Sequence, residues 1–275
     1  MKFERIYLIE GREDVYLDTY VADPIRDFTR RAILVIPGGG YRQVCSDREG
    51  EPIAMAFMPY GYNAFVLHYS VDRKAPFPQQ LIEVALAIKH IKDNAKEYDL
   101  DPEELFVVGF SAGGHLCASA GILWKLPEIY EAVDMPYGYN KPKGIMPIYP
   151  VVSGDPAFGH LGSIKNLWCC DEPSDEQREQ VSLERHVDAD SAPAFIVHSQ
   201  HDQIVNVRNS FVLAQAYAEA GVDFDMHIFS HIPHGAGLGN EITWHGHPEF
   251  VHPAFSEWVR MAAQWAENLS NSENN

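Results

Sequence analysis

Apolar runs and amphipathic segments alternate along the chain and predict a fold of strands and helices in turn. Several runs are apolar on both faces, which is typical of strands covered by helices on each side of a mostly parallel sheet. An antiparallel pair is expected at the start of the chain, around a turn at residues 10–14. The predicted strands are 3–9, 15–22, 32–36, 63–69, 105–110, 145–152, 194–198 and 224–229.

Helical patterns fill the intervals between these strands. The segment that begins at Pro78 carries its apolar residues at helical spacing, from Leu81 to Ile91, and so predicts one buried stripe. The predicted helices are 51–58, one beginning at Pro78, one that continues through 116–123, 207–220 and 254–269. The pattern therefore favours an α/β fold with about eight strands in a doubly wound sheet. We expect one domain over 1–275, with a polar, irregular, lid-like insertion at 153–190 and a disordered tail at 270–275.

The first candidate for chemistry is Ser111, which lies in a G-x-S-x-G motif from Gly109 to Gly113. An apolar strand precedes the motif and a helix of small residues follows it, so the motif predicts a sharp strand-to-helix turn. Such a turn exposes the serine hydroxyl and points the N–H of Ala112 towards a reacting carbonyl. Ser111 is therefore the predicted nucleophile.

A glycine-rich loop, residues 37–41, follows the predicted strand 32–36. Successive glycines allow backbone N–H groups to converge on an anion, although a flexible loop explains the same composition. Together with the serine motif downstream, the loop predicts an oxyanion-binding segment.

A serine nucleophile needs a histidine base and a carboxylate that orients the histidine. Reacting groups in doubly wound sheets gather at the carboxyl ends of strands. Asp202 and His234 each follow a predicted strand, and the order serine, aspartate, histidine suits this architecture. Gly235 favours His234 because it allows a tight loop against the serine. Five other residues are rivals for these roles. His201 and His231 lie beside the proposed positions, Asp225 lies inside a strand, and Asp188 and Asp190 lie in the insertion.

Four further side chains are predicted to contact the substrate. Tyr41 ends the glycine loop, His68 ends a strand, and His160 and Trp168 lie in the insertion, where plain packing is an equal explanation for Trp168.

Composition excludes several functions. The net charge of −18 argues against nucleic acid and anionic membranes as partners. No apolar run reaches the ~20 residues of a membrane span, and charges near the N-terminus favour a cytoplasmic protein over one with a signal peptide. Four cysteines without a framework spacing predict free thiols. The sequence leaves a homo-oligomer open.

Five histidines near the C-terminus are candidate ligands of a metal site. Their spacing fits no helix-borne pair such as H-E-x-x-H, so no metal is predicted. These histidines are His231, His234, His245, His247 and His252.

With these residues placed, the chain resembles the α/β-hydrolase superfamily over nearly its whole length. More narrowly, it is similar to small bacterial esterases related to acetyl-xylan and feruloyl esterases, often named sugar hydrolases. The matching segments are 37–41, 109–113, 160–167, 193–205 and 234–235. Pro37 departs from the pattern, because many relatives have histidine there.

The resemblance implies hydrolysis of a small carboxylic ester without a cofactor. It implies that Gly39, Gly40 and Ala112 hold the oxyanion, and that acetylated sugars or xylo-oligosaccharides are the substrates. Two alternatives remain. A peptidase of the same fold is less favoured because the chain has no large accessory segment to select peptides, and a non-catalytic binding protein is less favoured because all three catalytic residue types are present.

Overall fold

The computed structural model describes residues 1–272, and in it eight strands form one sheet. Their order is β1-β2-β4-β3-β5-β6-β7-β8; β2 pairs antiparallel with β1 and β4, and the other pairs are parallel. The fold class predicted from the sequence is thus confirmed. The strands are β1 (Lys2–Tyr7), β2 (Tyr16–Val21), β3 (Arg30–Ile36), β4 (Tyr62–His68), β5 (Leu100–Phe110), β6 (Gly144–Ile148), β7 (Ala194–Ser199) and β8 (Phe224–Phe229).

Helices connect the strands and cover both faces of the sheet. Those described are α1 (Ser46–Glu49), α2 (Glu51–Phe57), α3 (Gln79–Asp93), α4 (Ala112–Ile122), α5 (Pro127–Ala132), α6 (Leu161–Leu167), α7 (Asp175–Gln180), α8 (Arg208–Ala220), α9 (Pro253–Ser256) and α10 (Trp258–Ser272). Short 3-10 turns lie at Met58–Tyr60, Leu183–Arg185 and Pro248–Phe250. Within residues 1–272, every helix is too short or too polar to span a bilayer.

Two apolar cores lie on opposite faces of the sheet. Alternate residues of a strand point to opposite faces, so Leu105 and Val107 of β5 join one core while Phe106 and Val108 join the other. The first core packs against α3, α4 and α8, and the second against α2 and α10. This double coverage explains why the central strands are apolar throughout.

The strand order reverses beside β3, because the chain moves from β3 outwards to β4 and then returns to β5 on the other side of β3. The loops that leave the carboxyl ends of β3 and β5 therefore diverge and open a crevice. The glycine-rich loop follows β3 and Ser111 follows β5, so this crevice brings the two motifs together.

Three boundaries differ from the sequence prediction. Strand β6 ends at Ile148 and not at residue 152, because Tyr149 turns the backbone to a φ of 38°. Helix α10 continues to Ser272, so the predicted disordered tail is wrong for residues 270–272; the buried Ser270 hydroxyl donates to the carboxylate of Glu104 and anchors the last turn of the helix. Residues 273–275 of that predicted tail lie outside the described residues.

The 153–190 insertion is more ordered than the polar, irregular segment predicted from its composition. It contains α6 and α7, and it places Ile164, Leu167, Val181 and Leu183 in the first apolar core. Scattered apolar residues in a polar segment gave no periodic signal, so packing alone reveals that the insertion is anchored.

Candidate active site

Ser111 occupies a strained turn between β5 and α4. Its backbone has φ 55° and ψ −116°, a conformation that L-residues rarely adopt. The turn is held by the Ser111 N–H, which donates to the Ile148 carbonyl at 3.0 Å, and by the Ser111 carbonyl, which accepts from Val151 at 3.0 Å. Gly109 is required because a Cβ there would lie 2.1 Å from the Gly113 carbonyl oxygen. The turn lifts the serine side chain out of the sheet.

Three side chains from distant parts of the chain form a continuous hydrogen-bonded relay. The distance from Ser111 Oγ to His234 Nε2 is 2.8 Å, and that from His234 Nδ1 to Asp202 Oδ2 is 2.6 Å. The structure therefore brings together the three residues predicted as nucleophile, base and orienting carboxylate. With Nδ1–H donating to the carboxylate, Nε2 is free to accept the serine proton.

Asp202 is enclosed by donors. Its Oδ1 accepts from the backbone N–H groups of Ile204 and Val205 at 2.8 and 2.9 Å, and His198 Nε2 lies 3.4 Å from Oδ2. Burial raises the pKa of Asp202, but the hydrogen bonds from His198 and His234 outweigh burial and hold that pKa well below its usual range. Asp202 is consequently ionised at neutral pH, and its carboxylate accepts the hydrogen bond from His234 Nδ1.

The rival residues lie outside this relay. His201 and His231 are exposed and stack on each other with ring centroids 4.2 Å apart. Asp225 is an exposed residue of β8, and Asp188 pairs with Lys125. Among the described residues, no three histidine, cysteine or carboxylate side chains are grouped so that they could hold a metal ion.

The glycine-rich loop lies beside the serine. Gly39 has φ 128°, and a Cβ on it would lie 2.1 Å from the Gln43 carbonyl oxygen. The Gly39 carbonyl accepts from the N–H groups of Arg42 and Gln43, and Asn166 of α6 donates to the Gly40 carbonyl at 2.8 Å. In the described part of the chain, no acceptor takes the N–H of Gly39 or Gly40. These amides remain free to bind an anion.

A third backbone donor comes from α4. Ala112 is the first residue of that helix, so its N–H has no acceptor within the helix. Because Ala112 follows Ser111 directly, this N–H is available beside the serine hydroxyl, as the sequence motif predicts.

Two buried side chains hold the start of the glycine loop at Pro37 and Gly38. The Tyr69 hydroxyl donates to the Pro37 carbonyl at 2.8 Å, and the Gly38 N–H donates to Glu49 Oε2 at 2.9 Å. The loop is thus supported from below by a tyrosine and a glutamate.

A cleft of about 460 Å³ opens over Ser111 and His234. One predicted substrate-contacting residue, His160, lies in its wall, where its Nδ1 is 2.8 Å from the Ser163 hydroxyl. Burial, followed by the nearby His234, lowers the pKa of His160, so this imidazole is neutral at pH 7. The remaining lining residues are Gly39, Gly40, Gln43, Cys45, Arg48, Glu49, Ile204, Gly235, His245, His247 and Phe250.

The other three predicted contacts lie away from the cleft, which corrects the sequence interpretation. Tyr41 is buried in the core, where its hydroxyl is 2.8 Å from His115 Nδ1. His68 stacks on Tyr16 with ring centroids 4.1 Å apart, and burial lowers its pKa to about 4. Trp168 packs on Phe77 and donates its indole N–H to the carbonyl of Gln177. All three rings pack against other side chains of the interior and do not face the cleft.

Sequence reasoning missed Glu49 and Tyr149, which lie beneath the relay, and Arg48, His245 and His247 in the cleft wall. Glu49 stands among Asp47 and Glu51 in a polar stretch, so nothing local distinguishes it. Tyr149 lies between two prolines at a strand end, the one local hint of an unusual turn.

A reversal of strand order beside β3, a serine at a strained strand-to-helix turn, and an aspartate and a histidine after later strands define the α/β-hydrolase fold. The BD-FAE family model matches residues 15–217, so the chain belongs to the BD-FAE family.

Relatives of known name share this region. The chain is 35% identical over 228 residues to endo-1,4-beta-xylanase B of Butyrivibrio fibrisolvens, which covers 80% of this chain and 34% of that protein. It is 26% identical over 239 residues to the acetylxylan esterase of Xylanibacter ruminicola. That match covers 84% of this chain and 45% of that protein. The chain therefore spans between a third and a half of the length of these relatives.

Among solved structures, an acetyl ester-xyloside bifunctional hydrolase from Caldicellulosiruptor lactoaceticus is similar to the whole fold. The TM-score is 0.81 at 30% sequence identity, and the match covers 97% of this chain and 96% of that one. This similarity, unlike that to the longer relatives, extends over both chains almost completely.

Proposed function

We propose that this protein is a serine hydrolase that cleaves carboxylic esters through an acyl-enzyme intermediate. The observation that carries the proposal is the relay from Asp202 through His234 to Ser111, at 2.6 and 2.8 Å, beside unused backbone N–H groups. The names of the relatives, an acetylxylan esterase and an acetyl ester-xyloside hydrolase, support the same class of reaction.

In the first half-reaction, Ser111 Oγ attacks the ester carbonyl carbon while His234 Nε2 accepts the serine proton. The carbonyl oxygen becomes an oxyanion, which the N–H groups of Gly39, Gly40 and Ala112 bind. His234 then gives its proton to the leaving alcohol, and the acyl group stays on Ser111. Water, activated by His234, releases the acid in the second half-reaction.

We propose short acyl esters of sugars, acetylated xylose or xylo-oligosaccharides among them, as the substrate class. The imidazoles and the Arg48 guanidinium in the cleft wall, which lie beside Ile204 and Phe250, offer hydrogen-bond partners to a hydroxyl-rich alcohol. His160, held by Ser163, would hydrogen-bond the sugar side of such a substrate as a neutral imidazole. No cofactor enters this chemistry.

The decisive experiment is hydrolysis of p-nitrophenyl acetate by the wild type and by Ser111→Ala. We expect loss of at least about 10³-fold in kcat with an unchanged unfolding temperature, because the nucleophile is removed from a preformed site. Ser256→Ala, on helix α9 and outside the cleft, is the matched control and should keep full activity. Equal turnover by wild type and Ser111→Ala would overturn the proposal.

Specificity needs a second assay. Acetylated xylose and xylo-oligosaccharides, feruloyl esters and p-nitrophenyl esters of increasing acyl length are compared by kcat/KM. A preference for the acetylated sugars supports the substrate class, and a preference for long acyl chains contradicts it. Cleavage of peptide substrates without ester cleavage would instead indicate the peptidase alternative.

A further inference from the structure

One buried carboxylate lies beneath the relay without belonging to it. Glu49 ends helix α1, is 2% exposed, and uses both of its oxygens. Its Oε2 accepts the Gly38 N–H at 2.9 Å, and its Oε1 accepts the Tyr149 hydroxyl at 2.9 Å. The Tyr149 oxygen in turn accepts the Gly237 N–H at 3.0 Å. Glu49 thereby joins the start of the glycine loop to the loop that carries His234.

The geometry around this connection leaves little freedom. The ring of Tyr149 meets the imidazole of His234 edge-on, with centroids 5.0 Å apart. Gly237 lies so close to α1 that a Cβ on it would be 2.7 Å from the Arg48 carbonyl oxygen. The histidine loop therefore packs directly on the helix that ends in Glu49.

A carboxylate is a costly side chain for this position if its role is only to fill space. Burial penalises its ionised form and raises the pKa of Glu49, and an apolar side chain of similar volume would avoid that penalty. The ionised form instead gains two donors, which come from two different loops of the site. Glu49 connects the glycine loop to the loop that carries His234, and it is therefore suited to holding the two loops in a fixed relative position.

We infer that Glu49 is a positioning residue of the ester hydrolysis proposed above, which fixes the glycine-loop amides relative to His234 through Gly38 on one side and Tyr149 on the other. The inference rests on the proposed function for its kinetic consequence. The attack needs the oxyanion donors and the base in place at the same time. Small displacements of either group lower kcat more than they weaken substrate binding.

The test compares Glu49→Gln with a matched variant of a second buried carboxylate. Glu83 of α3 is fully buried, its pKa is also raised by burial, and it accepts the N–H of Ser70 at 2.7 Å. Glu83 lies outside the cleft. Both substitutions replace a buried carboxyl group with an amide of nearly the same volume, so they should lower the unfolding temperature to a similar degree.

We expect kcat for p-nitrophenyl acetate to fall about 10- to 100-fold in Glu49→Gln, less than the loss on deleting an oxyanion donor itself. KM should stay within about threefold of the wild type, since binding of a small ester needs neither loop fixed. Glu83→Gln should keep the wild-type kcat. Equal kcat values in the two variants would overturn the inference.

Amide hydrogen exchange provides a readout that does not depend on turnover. In Glu49→Gln, exchange should rise both in residues 36–43 and in residues 232–239, and in Glu83→Gln in neither. Tyr149→Phe removes only the second half of the connection, so exchange should rise in 232–239 alone. If Glu49→Gln fails to fold, Tyr149→Phe still tests the inference, which is contradicted if its kcat and exchange match the wild type.

Failure of the two proposals can be told apart. A wild type without esterase activity contradicts the proposed function, while the exchange experiment still decides whether Glu49 joins the two loops. An active wild type with unchanged exchange and kcat in Glu49→Gln contradicts the inference alone.

Discussion

The two ends of the central strands form hollows of similar size but opposite character. The cleft at the carboxyl ends measures about 460 Å³, and the hollow at the amino ends, beside Arg31 and Glu104, about 370 Å³. At the amino ends the charges pair with each other: Arg31 contacts Glu104 at 3.1 Å and Glu267 at 2.7 Å, and Lys143 contacts Glu104 at 3.1 Å. At the carboxyl ends, backbone donors and a histidine point into the space.

The difference shows that volume alone does not make a site. Parallel strands and the following helices direct N–H groups towards the carboxyl edge, where an anion can be stabilised. At the amino edge, Arg31 and Lys143 pair with carboxylates, and these ion pairs contribute to stability. Substitutions at the carboxyl edge should therefore lower activity, and substitutions at the amino edge should lower stability.

The largest expected effect is at Asp202. Asp202→Asn replaces an acceptor with an amide and favours the wrong tautomer of His234, so kcat should fall on the order of 10³- to 10⁴-fold. Steady-state kinetics on p-nitrophenyl acetate measure this loss. Asp225→Asn, the exposed rival in β8, is the control and should be as active as the wild type; a comparable loss there would refute the assignment.

A smaller effect is expected at the glycine loop. Gly39→Ala places a Cβ 2.1 Å from the Gln43 carbonyl oxygen and must displace the loop, so kcat should fall about 10²-fold through loss of oxyanion donors. Gly221→Ala is the control: its φ of 70° is also positive, in the left-handed region, but it caps α8 with open space around it. It should lower stability and leave kcat unchanged. If both variants retain kcat, the loop does not bind the oxyanion.

The smallest expected effect on activity is at the amino edge. Burial raises the pKa of Glu104, but hydrogen bonds from Ser270, Lys143 and Arg31 outweigh it and lower that pKa. Glu104→Gln should therefore cost about 1–3 kcal/mol of unfolding free energy at pH 7 and leave kcat unchanged.

The pH dependence checks the sign of this effect. A carboxylate with a lowered folded-state pKa stabilises the fold fully above its unfolded pKa, about 4.3, and this contribution is lost as pH falls from there through the folded-state pKa. Urea unfolding at pH 7 and at pH 4 should show the gap between wild type and Glu104→Gln narrowing at the lower pH. A gap that widens would contradict the ion-pair account.

Much of this molecule follows from local sequence. The period of apolar residues predicts the alternating strands and helices, because it reports which faces are buried on either side of the sheet. The turn at Ser111 and the glycine loop are also local, since close backbone contacts there leave no room for a side chain at Gly109 or Gly39. The family resemblance, carried by these same motifs, is confirmed by the match over residues 15–217.

Tertiary structure decided which other side chains face the cleft. Tyr41, His68 and Trp168 lie near cleft segments in sequence yet turn into the interior, where ring burial and hydrogen bonds are available to them. Glu49, unmarked among its acidic neighbours, enters the centre because the Gly38 amide and the Tyr149 hydroxyl meet there. Side-chain direction depends on partners brought from distant positions, and those partners exist only once the sheet and its loops have assembled.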